Sequence, residues 1–162
     1  MRTAIIYASK HGTTAKVAQK IAERFPTTES VAVYNLKTDK QIDIQSFDTV
    51  VLGTAVYAGK PLPAMQNFCE RQSGALLNKH LGLFVCGMEQ DANKQQQETT
   101  NAFPHVLREK ALAAQFLGGE FLFDRMNFLE RLIIKKIAKT DQNVSAIKET
   151  DIEEFVKKFK EI

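Results

Sequence analysis

The sequence predicts an α/β fold in which a parallel sheet lies between two layers of helices, a three-layer sandwich. Short apolar runs rich in β-branched residues alternate with amphipathic segments whose apolar positions recur about every 3.6 residues. The runs are apolar at nearly every position, which is typical of parallel strands buried on both faces. Because helical segments separate most of these strands, we expect right-handed crossovers and one open, doubly wound sheet.

Five parallel strands are predicted, and we expect them to lie in the order 2-1-3-4-5. The second alternates polar and apolar residues and is expected near an edge. Gly118 and Gly119 indicate a bulge or a close backbone approach within the fifth. With no repeat or linker, residues 1–162 are expected to form a single domain. The predicted strands are residues 3–8, 30–35, 48–53, 81–86 and 114–123.

Four helices are predicted between and after the strands. Pro61 and Pro63 fall in the first turn of the second helix, where a missing N–H costs little. Pro104 is expected to break the third helix, and Thr150 or Asp151 to cap the fourth. The predicted helices are residues 13–25, 61–71, 91–112 and 149–160.

Charge and composition narrow the classes of function. The net charge is only +3 over 162 residues and is not gathered with aromatic residues, which speaks against nucleic-acid binding. No apolar run approaches the roughly 18 residues of a membrane span, and the first residues lack the features of a signal peptide, so a cytoplasmic location is expected. Cys69 and Cys86 have no CxxC or ligand spacing and are interpreted as buried thiols, with redox or cofactor contact as the alternative. The three histidines are scattered, so no metal site is predicted.

A turn rich in hydroxyl groups joins the first strand to the first helix. Backbone N–H groups and hydroxyls of such a turn can surround a phosphate, and the positive end of the helix dipole adds to the attraction. The turn is neither a Walker A loop nor a GxGxxG turn. Two interpretations stay open: a binding site for a terminal phosphate monoester, or a plain turn capped by Thr13 or Thr14. The residues of the turn are Ser9, Lys10, His11, Gly12, Thr13 and Thr14.

Two further turns are expected beside the first, because ligands of open α/β sheets lie at the carboxyl ends of strands, where the strand order reverses. Tyr57, after the third strand, has a ring suited to lining a flat heterocycle, the alternative being a partly exposed loop aromatic. Gly87, after the fourth, allows the backbone to approach a ring edge. The candidate residues are Thr54, Ala55, Val56, Tyr57, Ala58 and Gly59 after the third strand, and Gly87, Met88 and Glu89 after the fourth.

These turns resemble those of the flavodoxin family, and the resemblance extends over essentially the whole chain. It implies that FMN is the cofactor, with its phosphate held by residues 9–14 and its isoalloxazine ring surrounded by residues 54–59 and 87–89. Within the phosphate turn, Lys10 is expected to be solvated. His11 stands where the family often has a threonine, and it either donates to the phosphate or points to solvent.

The second half of the chain is more similar to the bacterial quinone-linked protoporphyrinogen oxidases of that family than to shuttle flavodoxins, which are typically strongly acidic. The slight basic charge and residues 123–137 carry this similarity. The segment 124–139 is basic and amphipathic, so it can lie on an anionic bilayer, cover a hydrophobic ligand beside the flavin, or pack its apolar face on the sheet. The apolar face consists of Met126, Leu129, Ile133 and Ile137. The basic residues are Arg125, Arg131, Lys135, Lys136 and Lys139, and the acidic residues are Asp124 and Glu130.

The resemblance implies an FMN-dependent oxidoreductase that passes electrons from a porphyrinogen substrate to a quinone or a redox protein partner. Residues 124–139 are then a peripheral contact at the inner face of the membrane. The alternative is a flavodoxin-like electron shuttle without substrate chemistry of its own. A receiver domain without flavin is disfavoured, because no acidic pair follows the first strand. No catalytic residue is assigned, and Glu89 is either a ring-edge or substrate contact or a solvated loop residue.

Overall fold

A computed structural model of the chain describes residues 1–139 and 141–162. Pro104 separates helices α3 and α4, at the predicted break. The strands are β1 (Arg2–Ala8), β2 (Ser30–Asn35), β3 (Thr49–Tyr57), β4 (Lys60–Pro61), β5 (His80–Cys86), β6 (Ala113–Phe116), β7 (Glu120–Phe121) and β8 (Val144–Ser145). The helices are α1 (Thr13–Arg24), α2 (Pro63–Leu76), α3 (Ala92–Ala102), α4 (His105–Lys110), α5 (Phe128–Ala138) and α6 (Glu149–Lys160), with 3₁₀ turns at Ile44–Ser46 and Phe123–Arg125.

A parallel sheet forms the centre of the molecule, with its strands in the order β2-β1-β3-β5-β6. The two-residue strand β4 pairs antiparallel with the end of β3, so the five parallel strands follow the predicted order 2-1-3-4-5. Strand β2 lies at an edge, as predicted. The order reverses between β1 and β3, so the turns that follow these strands meet at one edge of the sheet.

Two hydrophobic clusters lie on opposite faces of the sheet, which confirms the three-layer sandwich. Side chains alternate along β1: Ala4 and Ile6 join the cluster that contains α2, whereas Ile5 joins the cluster that contains α1 and α6. Phe155 and Phe159 of α6 are fully buried and pack against each other with ring centroids 5.5 Å apart. Burial of such a side chain contributes about 1.5–3 kcal/mol, so α6 is held mainly by its apolar face.

The predicted fifth strand, residues 114–123, is shorter in the structure. Strand β6 ends at Phe116, and Gly118 follows with a φ of 78°. A Cβ on Gly118 would lie 2.0 Å from the carbonyl oxygen of Ala146, so the close backbone approach is confirmed. The prediction of one continuous strand over residues 114–123 is wrong, because the chain leaves the sheet here and β7 pairs antiparallel with β8. An apolar run does not reveal which strand it will pair with.

One predicted helix start and one predicted helix cap are also wrong, whereas the predicted bounds of the fourth helix, residues 149–160, are confirmed. Helix α2 begins at Pro63 rather than at residue 61, because the preceding residues form β4. The N-cap position of α6 is Lys148, without a capping side chain, and Thr150 and Asp151 lie within the first turn. There the Asp151 carboxylate interacts favourably with the helix dipole instead of capping it.

Residues 122–139, which we call the insertion segment, follow β7 and contain α5. No residue of α5 is buried, and Phe128, Leu129 and Ile137 are 73%, 68% and 72% exposed. The interpretation that this apolar face packs on the sheet is therefore wrong. Met126, predicted on the same face, is buried because it precedes the helix and closes the 3₁₀ turn.

Candidate cofactor site

The turn between β1 and α1 leaves the start of the helix open. Ser9 Oγ accepts a hydrogen bond from the Gly12 N–H at 3.0 Å. Gly12 occupies the N-cap position of α1 with a φ of 96°, and no side chain of the described residues caps the helix. The expected capping by Thr13 or Thr14 is wrong, because both lie in the first turn and are buried. An uncapped first turn leaves backbone N–H groups for an anion.

Beneath this turn, Thr14 lies near Cys86, which ends β5. Cys69 and Cys86 are both buried free thiols, as predicted. Burial raises the pKa of each thiol to about 12, and at Cys86 the nearby Thr14 side chain opposes that shift. Both thiols stay protonated at neutral pH and lack the thiolate that redox chemistry requires.

The two basic side chains of the turn bind a carboxylate from the insertion segment. Lys10 Nζ lies 2.5 Å from Glu130 Oε1, and His11 Nε2 lies 3.0 Å from Glu130 Oε2. The His11 side chain is only 12% exposed. Lys10 is exposed, as expected, but it also pairs with Glu130, which was not predicted, and His11 points to Glu130 rather than to solvent. The turn already holds one anionic group.

The position of Glu130 follows from the local sequence of α5. Asn127 Oδ1 accepts from the Glu130 N–H at 2.9 Å, and Glu130 Oε2 accepts from the Asn127 N–H at 3.3 Å, which together form a capping box. The pKa of Glu130 lies below its ordinary value, mainly because its carboxylate is hydrogen-bonded to Lys10. The Asn127 N–H and the nearby His11 lower it further, while desolvation opposes the shift. Glu130 is thus ionised at neutral pH.

A third basic side chain, Arg125, reaches the same turn from the 3₁₀ turn that precedes α5. Its Nη1 donates to the His11 carbonyl oxygen at 3.2 Å. A Cβ on Gly12 would lie 2.4 Å from this Nη1, so the guanidinium lies directly against the glycine. In the sequence, Arg125 and Glu130 are recognisable only as charges of an amphipathic segment. No local pattern joins positions 114 residues apart, so only the chain's path could reveal this contact.

The turn predicted at residues 54–59 is mostly strand. Thr54, Ala55 and Val56 belong to β3 and are buried, and Thr54 Oγ1 accepts from the Leu62 N–H at 3.2 Å. The chain reverses at Ala58 and Gly59, whose φ values of 49° and 73° are those of a tight β-hairpin turn. The part of this region that can approach a ligand is therefore the hairpin tip at residues 57–59.

Tyr57 connects this hairpin to the phosphate turn. Its ring meets the His11 ring edge-on, with centroids 5.9 Å apart, and Lys10 Nζ lies 5.4 Å from the ring centroid. The predicted convergence of the two turns is confirmed by these contacts. Tyr57 is 39% exposed, and burial, followed by the nearby charge of Glu130, raises its pKa to about 12. It presents a neutral aromatic ring at the edge of the sheet.

The third turn, residues 87–89, follows β5 at the same edge. The Gly87 N–H donates to the Gly118 carbonyl oxygen at 3.1 Å, and a Cβ on Gly87 would lie 3.2 Å from the Phe116 ring. Glu89 Oε1 accepts from the N–H groups of Gln90 and Asp91, each at 2.9 Å. Glu89 therefore orders its own turn, and Met88 is partly exposed beside it.

The fold and these turns define a doubly wound α/β protein in which basic side chains of the turn after the first strand contact a carboxylate. The chain belongs to the flavodoxin domain family, whose model matches residues 4–147. No curated protein matches the sequence at a significant level.

Solved structures agree with this assignment. The chain is similar to oxidised flavodoxin 2 of Bacillus cereus, with 17% identity, 99% of each chain covered and a TM-score of 0.64. Oxidised flavodoxin 1 of the same organism is 14% identical, with 99% of this chain and 98% of that chain covered and a TM-score of 0.58. A Fusobacterium nucleatum flavodoxin bound to flavin mononucleotide is 13% identical, with 99% of this chain and 97% of that chain covered and a TM-score of 0.55. At these identities the likeness shows the fold.

Proposed function

We propose that this chain is an FMN-binding oxidoreductase, with the phosphate in the turn at residues 9–14 and the isoalloxazine ring between residues 57–59 and 87–89. The open start of α1, with Gly12 in the left-handed region, carries this proposal. An anion is favoured there by the uncapped helix start and by the neighbouring basic groups: Lys10 and His11 already bind a carboxylate, and the Arg125 guanidinium lies against Gly12. The flavodoxin of Fusobacterium nucleatum supports the choice of FMN.

When bound, FMN supplies the electron transfer. The chain's own residues bind and orient: the N–H groups at the start of α1 and the Ser9 hydroxyl hold the phosphate, and Tyr57 shields the ring from water. Since its pKa is raised to about 12, Tyr57 stays a neutral phenol at neutral pH and acts as an aromatic wall. We assign no proton transfer to any side chain of the site.

We assign the activity to the protoporphyrinogen-dehydrogenase type, linked to a quinone at the inner face of the membrane. No helix among residues 1–139 and 141–162 is long and apolar enough to cross a membrane. Helix α5 instead exposes a whole apolar face bordered by Arg131, Lys135, Lys136 and Lys139. An anionic bilayer matches both features, because its surface attracts the cations and its interfacial region accepts the apolar side chains.

The alternative is an electron shuttle between protein partners. The exposed hairpin at residues 57–60 favours it, because a protein partner could approach a flavin there without crossing a pocket. Turnover separates the two candidates. The first predicts that the FMN-loaded protein oxidises protoporphyrinogen with a quinone as acceptor. Flavin that is reduced and reoxidised only by redox proteins would instead establish the shuttle.

The substitution Gly12→Ala tests the cofactor site itself. It forces a side chain into left-handed backbone and against Arg125, so FMN binding should weaken at least about tenfold. Gly74→Ala is the matched control, because a Cβ at Gly74 meets open space in α2. Quenching of FMN fluorescence measures binding, and thermal unfolding verifies that both variants fold. Equal FMN affinity in both variants would contradict the assigned site.

A further inference from the structure

The insertion segment touches the phosphate turn through two charged residues that lie outside that turn. We propose that this segment forms the second wall of the phosphate site, in which Arg125 binds the phosphate and Glu130 is the carboxylate that the phosphate displaces from Lys10 and His11. The inference rests on the proposed binding of FMN. It adds Arg125 as a phosphate-binding residue and Glu130 as a carboxylate that competes with the phosphate for Lys10 and His11.

Glu130 occupies the two basic side chains, Lys10 and His11, that an incoming phosphate would use. Its two carboxylate oxygens lie 2.5 Å from Lys10 Nζ and 3.0 Å from His11 Nε2. These are hydrogen-bonding distances, so the basic groups are already engaged with an anion. A phosphate at the start of α1 would bring like charge beside Glu130. The phosphate must therefore take over at least one of these contacts, which lowers its net gain on binding.

Arg125 is placed to favour the phosphate instead. Its guanidinium lies against Gly12, the residue that begins α1, and one N–H donates to the His11 carbonyl oxygen. A guanidinium has five N–H donors, and among residues 1–139 and 141–162 one hydrogen bond of Arg125 is observed, so most of its donors are left for a ligand. The side chain is exposed, which allows it to turn toward a ligand without breaking a packed contact. Planar, charged donors of this kind suit phosphate oxygens.

Buried residues fix the backbone that carries Arg125 and Glu130 relative to the turn. Phe123 and Met126 on either side of Arg125 are 7% and 8% exposed, which anchors the 3₁₀ turn. Arg131 Nε donates to the Met126 carbonyl oxygen at 3.1 Å and ties the first turn of α5 to this anchor. The contact between the insertion segment and the phosphate turn is therefore built from packed residues and a capped helix, unlike a chance meeting of surface charges.

The experiment compares FMN with riboflavin, which carries the same ring system without the phosphate. Dissociation constants for wild type, Arg125→Ala and Glu130→Gln are measured by quenching of flavin fluorescence. Lys136→Ala, an exposed charge on α5, is the matched control. Arg125→Ala should weaken FMN binding about ten- to a hundredfold, as expected for loss of a charge-assisted hydrogen bond. Glu130→Gln should strengthen FMN binding severalfold. Riboflavin affinity should change less than about twofold in every variant.

The outcomes separate this inference from the function on which it rests. If wild type binds neither flavin, the proposed function fails. If wild type binds FMN but Arg125→Ala leaves its affinity unchanged, or weakens riboflavin equally, only the inference fails. Weaker FMN binding in Glu130→Gln would likewise overturn it, since Glu130 would then support the site. Arg125→Lys retains the charge and should bind FMN between wild type and Arg125→Ala, while thermal unfolding verifies that each variant is folded.

Discussion

Helices α5 and α6 are both short and amphipathic, and each has an early glutamate that contacts two basic side chains in or near α1. Glu149 of α6 contacts two basic side chains on α1 itself, and Glu130 of α5 contacts two in the turn before α1. Only α6 adds a hydrophobic interface, with Ile152, Phe155 and Phe159 fully buried, whereas α5 buries no residue. Helix α6 belongs to the core, whereas α5 is held at one end by polar contacts.

This difference shows what amphipathic spacing does and does not predict. The spacing predicts that a helix has two faces. It does not predict what covers the apolar face, because that depends on where the chain carries the helix after the sheet ends. Helix α6 returns to the sheet, whereas α5 lies between β7 and β8, away from it. Its apolar face therefore remains available for a surface from outside the chain.

The largest contrast is expected in stability. Phe155→Ala should destabilise the protein by about 3–5 kcal/mol, because a fully buried ring leaves a cavity beside Phe84 and Phe159. Phe128→Ala, on α5, should change the free energy of unfolding by less than about 0.5 kcal/mol. Urea denaturation of both variants measures the difference. A large loss of stability in Phe128→Ala would mean that α5 does pack on the protein.

The second contrast concerns membranes. Wild type should bind vesicles of anionic lipid, and the double variant Phe128→Asp with Ile137→Asp should lose at least about tenfold in affinity, because charge is placed on the face that enters the interface. The matched control is Val106→Asp with Leu112→Asp, exposed apolar residues that lie outside α5. Co-sedimentation with vesicles is the measurement.

The control separates a specific contact from a general effect of charge. If both double variants lose the same affinity, α5 has no special role. Wild type that ignores anionic vesicles would remove the membrane contact from the proposed function, and it would favour the shuttle.

The smallest effect is expected from pH. The folded pKa of Glu130 is depressed, so its contribution to stability is present above the unfolded pKa and is lost as the pH falls through the folded pKa. At pH 7 without ligand, Glu130→Gln should be less stable than wild type by no more than about 1 kcal/mol, because the pair is partly solvated. The difference should vanish in acid, below the folded pKa.

Thermal unfolding of wild type and Glu130→Gln across this pH range checks the sign. Glu154→Gln, an exposed glutamate of α6, is the control for a general loss of charge. A stability difference that grows as the pH falls would contradict the contact that holds α5 to the phosphate turn.

The parallel sheet was predictable from the sequence because most of its strands are continuous apolar runs that alternate with helical segments. The phosphate turn was predictable because its residues are adjacent in the chain. The hairpin was located less well: the apolar run Thr54–Val56 continues β3, and only the positive φ values at Ala58 and Gly59 mark the turn. Arg125 and Glu130 could not be assigned, because their contacts depend on the path of the chain after β6.

A titration of the cofactor-free wild-type protein with FMN and, separately, with riboflavin tests the central claim most directly. We predict saturable quenching of FMN fluorescence with a rise in melting temperature, and much weaker binding of riboflavin, because the turn at residues 9–14 binds the phosphate. A folded protein whose melting temperature and flavin fluorescence do not respond to saturating FMN would contradict the account.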